Sequence, residues 1–331
     1  MAQHITRPLL KSLPKLPAPD RWTTLFKGSK ARGQLRVNVK TEEVANAAAD
    51  LMKITPQKNI IELYAGPGQL TRSMALAGAN KVVAVENGEY FKSSLQSLVE
   101  HSEGRVQHLQ EHPVADPFDE LLNPSKGYLP KLESQPRDKI HSGLAIVGSI
   151  PNSTFGEKHL LDLITASIEQ MGPFRLGRIE MFMFVSKETL QKFRTPPGTP
   201  QRQRLTLLSE AAVELKELLR PGMHHFHLPY DYHLVHIVPH EKAKIDIPVD
   251  VFDYCLRSLF TNKSNQLNKT IKLLGPGADI LLGRLSFDTT VKIKHMTLEQ
   301  LNEVAVKFDQ WPLRPAVLYE DMIMHETRSR K

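Results

Sequence analysis

One cysteine, Cys255, serves the whole 331-residue chain. A lone thiol closes no intrachain disulfide and builds no CxxC zinc site, so the chain suits a reducing compartment or is indifferent to redox. Long apolar runs are missing as well. None approaches the roughly eighteen residues a membrane-spanning helix needs, which excludes insertion of that kind. Acid is absent from the N-terminus: "MAQHITRPLLKSLPKLPAP" carries Arg7, Lys11 and Lys15 with no carboxylate before Asp20. Acid-poor, basic, leucine-bearing leaders read as mitochondrial presequences. Pro8, Pro14, Pro17 and Pro19 break the helix such a leader forms, so an uncleaved basic arm is the other reading of residues 1–26.

What is present fits a folded protein. The hydrophobic share of 40% supplies a core, and 24% charged residues is ordinary. The formal net charge of +7 favours polyanionic partners, nucleic acid or anionic lipid.

Apolar periodicity sets out the elements. Thr41 stands as N-cap of a helix with Glu42 and Glu43 in its first turn and Val44, Ala48, Leu51 and Met52 on one face. A strand over 59–64, a glycine turn, a helix over 69–77 and a valine-rich strand over 80–88 follow. This alternation predicts a parallel sheet with right-handed crossovers. A less regular stretch fills 111–140. Next come a strand over 142–151, a helix over 157–170, a strand over 178–185, an exposed loop at 194–204, a helix over 205–219 and late or edge strands within 226–239. Helical patterns dominate beyond 241, so the sheet ends near 239–249. The expected division is an arm or leader at 1–26, a doubly wound α/β domain at 27–240, and a small C-terminal helical domain with tail at 241–331.

Within "IIELYAGPGQLT", Gly66 and Gly68 let a ligand approach the backbone, and the following helix offers unpaired N–H groups. Glu86 lies about 20 residues on, at the tip of the next strand, where a carboxylate accepts from ribose hydroxyls. Together these point to an adenosyl cofactor; the bland alternative is a doubly wound protein with an empty pocket. Three basic groups would neutralise phosphates: Lys27, Lys30, Arg32 and Arg36; Lys192, Arg194, Arg202 and Arg204 around the proline-glycine loop; and Lys263, Lys269 and Lys272 on a C-terminal helix. Each could equally be a solvated face. The histidines of "HHFHLPYDYHLVHIVPH" lie on an alternating strand that sends neighbours to opposite faces, so no metal is assigned. Cys255 and Trp311 read as core.

Further stretches carry a resemblance. "SKARGQLRVNVKTEEVANAAADLM" looks like a GQ-x-FL entry helix, and "IIELYAGPGQLT" is similar to E-x-G-x-G-x-G-x-LT, with Glu62 as its acid. "VVAVENGEYF", "MFMFVSKETLQKFRTPPGTP" and "LRSLFTNKSNQLNKTI" follow in family order. The chain thus resembles the KsgA-type rRNA adenine N6-dimethyltransferases over about residues 27–326, and within them the fungal mitochondrial transcription factor B branch. The resemblance implies a Rossmann-like S-adenosylmethionine-dependent methyltransferase fold, with Val37, Glu62, Gly66, Gly68, Glu86, His112 and Ser149 at the cofactor. It also implies a mitochondrial transcription initiation factor, partnered by the mitochondrial RNA polymerase and promoter DNA; the alternative is an active rRNA adenine dimethyltransferase with rRNA as partner.

The departures bear on that choice. Tyr64 replaces the motif's first glycine, and His112 falls where the family has an acid beside the adenine. The catalytic N-[LIP]-P-[YF] motif becomes Ser149, Ile150, Pro151 and Asn152. In the family the asparagine and a main-chain carbonyl accept both amine hydrogens of a flipped adenine, and the aromatic ring stacks on the base. Serine is too short to reach that amine, and Asn152 has no stacking face.

Overall fold

The computed structural model describes residues 10–26, 36–114 and 117–315. Lys27, Lys30, Arg32 and the tail "YEDMIMHETRSRK" lie outside them.

Among the described residues seven strands form one sheet: β1 (Asn59–Leu63), β2 (Lys81–Val85), β3 (Val106–Leu109), β4 (Ile140–Ser149), β5 (Arg178–Ser186), β6 (Val213–Leu219) and β7 (Tyr232–Pro239), in the order β3-β2-β1-β4-β5-β7-β6. The first five are parallel, and β7 runs antiparallel between β5 and β6. β1 is buried throughout, as expected for a parallel strand covered on both faces. The helices are α1 (Trp22–Leu25), α2 (Glu42–Leu51), α3 (Gln69–Leu76), α4 (Glu89–His101), α5 (Phe118–Leu122), α6 (Thr154–Glu169), α7 (Lys187–Phe193), α8 (Arg204–Ala212), α9 (Val249–Phe260), α10 (Leu267–Thr270) and α11 (Leu298–Asp309). The order reverses between β1 and β4, so the crevice beyond their carboxyl ends is the expected ligand position.

The described residues fall into two compact units, one up to 190 with 213–241, the other 191–212 with 242 onward. The proline-glycine loop and α8 therefore belong with the helical unit, where the sequence reading drew a single boundary near 239–249.

Three expectations need correcting. The helix read over 205–219 stops at Ala212, and β6 begins at Val213. "VELKELL" has good helix formers, but it pairs antiparallel with β7 from Val213↔Pro239 onward, and ladder hydrogen bonds override that weak propensity. Thr41 flanks α2 without a side-chain cap bond; its hydroxyl instead lies 2.9 Å from Nδ1 of His225.

The third correction is larger. Residues 10–26, read as part of a leader or arm, are built into the first unit. Leu10 and Leu13 join the core on the α2–α3 side of the sheet, and Trp22 and Phe26 pack with Ala65, Ala84, Phe91 and Leu95. Buried Arg72 ties the strap down, donating to the carbonyls of Leu13 (3.4 Å) and Pro14 (3.1 Å) and to Glu42 (2.8 Å). Composition showed prolines and bases; the three-dimensional packing shows that four apolar side chains find partners.

Candidate functional site

The ends of β1 through β4 bring Tyr64–Gly68, Glu86, His112 and Ser149–Asn152 to the crevice. The turn after β1 is the tightest part. Gly66 and Gly68 have φ of +58° and +94°. A Cβ on Gly66 would overlap the Asn38 side chain, and one on Gly68 would press on Leu98 and Leu95. Both positions therefore require glycine for backbone and space alike.

Tyr64 holds a left-handed φ of +59°, which costs about 1–2 kcal/mol for a side-chain-bearing residue. Its ring is buried, and its hydroxyl sits 2.6 Å from Nδ1 of His159 on α6. Burial raises the phenol well above its ordinary range, so it stays protonated and donates. Burial likewise lowers His159 to about 4, which keeps the imidazole a neutral acceptor.

Glu62 lies beneath the turn and accepts from the Thr71 hydroxyl on α3. Burial, opposed by that bond and reinforced by the charge of Glu86, raises its carboxyl to about 8. Glu62 is thus a neutral brace between β1 and α3 and not an exposed ligand group.

Glu86 is wholly buried. Its Oε2 accepts from Gly66 N at 2.8 Å and its Oε1 from Gly88 N at 2.8 Å. Both oxygens also accept from Arg36, Nη1 at 3.3 Å from Oε1 and Nη2 on Oε2. The guanidinium carbon stands 4.8 Å from the centre of the Tyr64 ring, while Arg36 Nε is buried with no hydrogen-bond partner among the described residues. Arg36 was expected in a basic cluster facing nucleic acid. It is buried, because Glu86 and the Tyr64 face offer it an ion pair and a cation–π contact that solvent cannot match.

The floor is equally engaged. The Ser149 hydroxyl donates to the carbonyl of Val37, itself fully buried. The Ile150 carbonyl accepts from the buried hydroxyl of Tyr232 at 2.6 Å, and the Pro151 carbonyl from Ser153 N at 2.8 Å. Asn152 is half-buried just before Ser153, which caps α6 by accepting from Gly156 N. His112, half-buried, meets Phe155 edge-on at 5.6 Å. Its pKa is lowered, first by burial and then by the Arg36 charge, against Glu86 and Glu111.

Two of the other expected phosphate contacts turn inward. Arg202 is fully buried and donates to the Thr195 carbonyl at 2.8 Å and to both oxygens of Glu210; Arg204 forms an ion pair with Asp253. Glu210 on α8 claims Arg202 from the loop before that helix, and Asp253 on α9 claims Arg204. Lys263 follows α9 in a turn rather than lying on a helix, and its ammonium donates to the carbonyls of Pro200 and Arg202. Arg194 and Lys269 are exposed.

Among the described residues no three His, Cys, Asp or Glu groups converge as a metal site, and no helix is long and apolar enough to cross a membrane. The histidines brace the sheet instead: His227 Nδ1 accepts from Asn38 N, and His236 contacts Glu180 and stacks on Phe182. Cys255 and Trp311 are buried, and burial raises the thiol well above its ordinary range.

Sequence reasoning missed Asn38, Tyr232 and His159, and it misplaced Arg36. Asn38 and Arg36 flank Val37 in "GQLRVN", where proximity to a resembling motif was the available signal. Tyr232 and His159 come from strands and helices over 80 residues away and left no local mark.

A main-chain turn suited to an adenosyl group is therefore present, but the carboxylate that would take the ribose already holds Arg36, and Asn38 fills the flank of Gly66. As arranged, the residues do not fit S-adenosylmethionine.

Residues 29–310 match the model of a family described as ribosomal RNA adenine dimethylase. Dimethyladenosine transferase 1, mitochondrial, of Vermamoeba vermiformis is 27% identical, the alignment covering 92% of this chain and 97% of that protein. The protein of the same name from Xenopus tropicalis is 24% identical over 96% of this chain and 92% of its own. Among solved structures, a dimethyladenosine transferase from Plasmodium falciparum superposes with a TM-score of 0.60 at 16% identity, covering 82% of this chain and 97% of that one. The 23S rRNA methyltransferase ErmE gives 0.53 at 16% identity, covering 82% and 99%.

Proposed function

Since this chain belongs to the ribosomal RNA adenine dimethylase family, we propose that it is a mitochondrial nucleic-acid-binding factor on the dimethyltransferase scaffold that does not sustain adenine methylation. The role proposed for it is transcription initiation, with the mitochondrial RNA polymerase on promoter DNA. Mitochondrial placement is supported by relatives named as mitochondrial dimethyladenosine transferases. The net charge of +7 suits a polyanionic partner.

One observation carries the reading: the groups where the family has its amine acceptors are engaged with the protein. The Ser149 hydroxyl, shorter than an asparagine amide, is turned toward the Val37 carbonyl to which it donates, and one lone pair of the Ile150 carbonyl is taken by Tyr232. An exocyclic amine is a poor nucleophile until its hydrogens are accepted, because its lone pair is delocalised into the ring. Losing one acceptor costs about 1–3 kcal/mol. Losing the aromatic stack at Asn152 costs about 1–3 kcal/mol more. Together these make about 2–6 kcal/mol, and at about 1.4 kcal/mol per decade turnover falls by roughly thirtyfold to twenty-thousandfold.

The comparisons favour a second reading, an S-adenosylmethionine-dependent mitochondrial rRNA adenine dimethyltransferase, because the relatives carry that name and match nearly full length. On kinship alone it is the stronger of the two; the chemistry of the floor is what weighs against it. Methyl transfer to a small-subunit rRNA hairpin, measured beside run-off transcription from a promoter template with the polymerase, separates them. The expected result is factor-dependent initiation and no dimethyladenosine. Dimethylation that Ser149→Ala abolishes overturns the proposal in favour of the enzyme.

A further inference from the structure

We propose that Arg36 is an internal occupant of the ribose end of the crevice, and that this one side chain sets whether an adenosyl ligand can enter. The argument starts from shape. A vicinal diol binds a carboxylate through two parallel O–H donors. A guanidinium presents two parallel N–H donors with nearly the same spacing, and it adds a full positive charge. Arg36 places Nη1 and Nη2 on the two oxygens of Glu86 in that manner. The remaining lone pairs of Glu86 are taken by the amides of Gly66 and Gly88, so no oxygen is left for a second pair of donors.

Position agrees with shape. Arg36 lies against the Tyr64 face at the first position of the turn, and it is 3% exposed. Tyr64 and Arg36 thus act together: the ring at the motif's first glycine position is the platform on which the guanidinium rests. The fork is not fully satisfied, however, because Nε is buried without a partner among the described residues. A group held by two of its three nitrogens, in a place where it cannot be hydrated, is a competitor that can be removed, unlike a filled core.

The inference concerns binding and rests only on the crevice being of adenosyl type; it is independent of which nucleic acid the chain serves. The occupant is therefore tested without any methyl acceptor. Full-length wild type, Arg36→Phe, Arg36→Ala and Arg36→Lys are titrated calorimetrically with S-adenosylhomocysteine, and folding is followed by circular dichroism. Wild type is expected to bind at millimolar Kd or not at all, and Arg36→Phe and Arg36→Ala to bind at least tenfold more tightly. The Glu86 charge then lacks its partner, so these variants are expected to melt earlier and to regain their melting temperature as ligand is added. If either fails to fold, Arg36→Lys decides: it keeps the charge but not the fork, and an increase in affinity over wild type is expected. Micromolar binding by wild type, or a folded variant with no gain, overturns the proposal. Detection of dimethyladenosine would sink the functional reading above while leaving this titration to stand or fall by its own result.

Discussion

Ser149 and Tyr64 show how single residues carry the departure of this chain from the motifs it resembles. Ser149 braces the fold: its hydroxyl satisfies the buried carbonyl of Val37. Ser149→Ala leaves that carbonyl unsatisfied and is expected to cost about 1–3 kcal/mol in urea unfolding. A variant as stable as wild type would show that the bond contributes nothing. Tyr64 accepts a strained backbone in exchange for a buried ring and the His159 contact. Tyr64→Phe keeps the ring and removes only that bond, so a loss of about 1 kcal/mol is expected. Nuclear magnetic resonance titration should show His159 still titrating below its ordinary value, because burial is the first cause of its shift.

At the scale of elements, the N-terminal strap is the test case. Its leucines and aromatics are interrupted by prolines, which argues against a helix and says nothing about burial. In the fold, Trp22 donates from its indole nitrogen to the Pro17 carbonyl at 2.8 Å and packs edge-on against Phe26 at 5.6 Å, and Phe26 reaches Phe91 on α4 at 4.9 Å. Trp22→Ala is expected to destabilise by about 3–5 kcal/mol in chemical denaturation, the usual cost of removing a large buried ring. A chain truncated at residue 26 should melt far below the full chain; equal melting temperatures would return residues 10–26 to the status of a dispensable leader. The α8–β6 junction teaches a related lesson. "LLSEAAVELKELL" satisfies both a helical and an alternating pattern, so periodicity alone cannot find the switch at Val213. Pairing with β7 makes it, through contacts more than a dozen residues away in sequence.

For the molecule as a whole, two buried titratable groups with opposite shifts shape the dependence of stability on pH. The Glu62 carboxyl rises from 4.5 to about 8 on folding. The folded state therefore holds a proton that the unfolded state releases. Stability from this group is complete below about 4.5 and is lost as pH rises toward 8. His159 falls from 6.5 to about 4. Its contribution is complete above 6.5 and is lost as pH falls toward 4. Between pH 6.5 and 8 only Glu62 acts, so unfolding free energy should drop by about 2 kcal/mol across that window. Glu62→Gln should flatten the slope, seen by denaturation at pH 6.5 and 8.5; an unchanged slope would mean that Glu62 is ionised in the fold.

Local order was written in the chain: the β1–turn–α3–β2 run, the glycines at 66 and 68, and Glu86 at a strand tip follow from short-range sterics and from apolar periodicity, which neighbouring residues determine among themselves. The kinship was legible too, because motif order along the chain is a one-dimensional property. What only the tertiary structure decided is where each charge finds its partner. Arg36, Arg202 and Arg204 look alike as basic residues in polar stretches, yet all three turn to carboxylates brought near by folding, Glu86, Glu210 and Asp253. An ion pair gains most where water is excluded, and exclusion of water is a property of the packed molecule rather than of any segment.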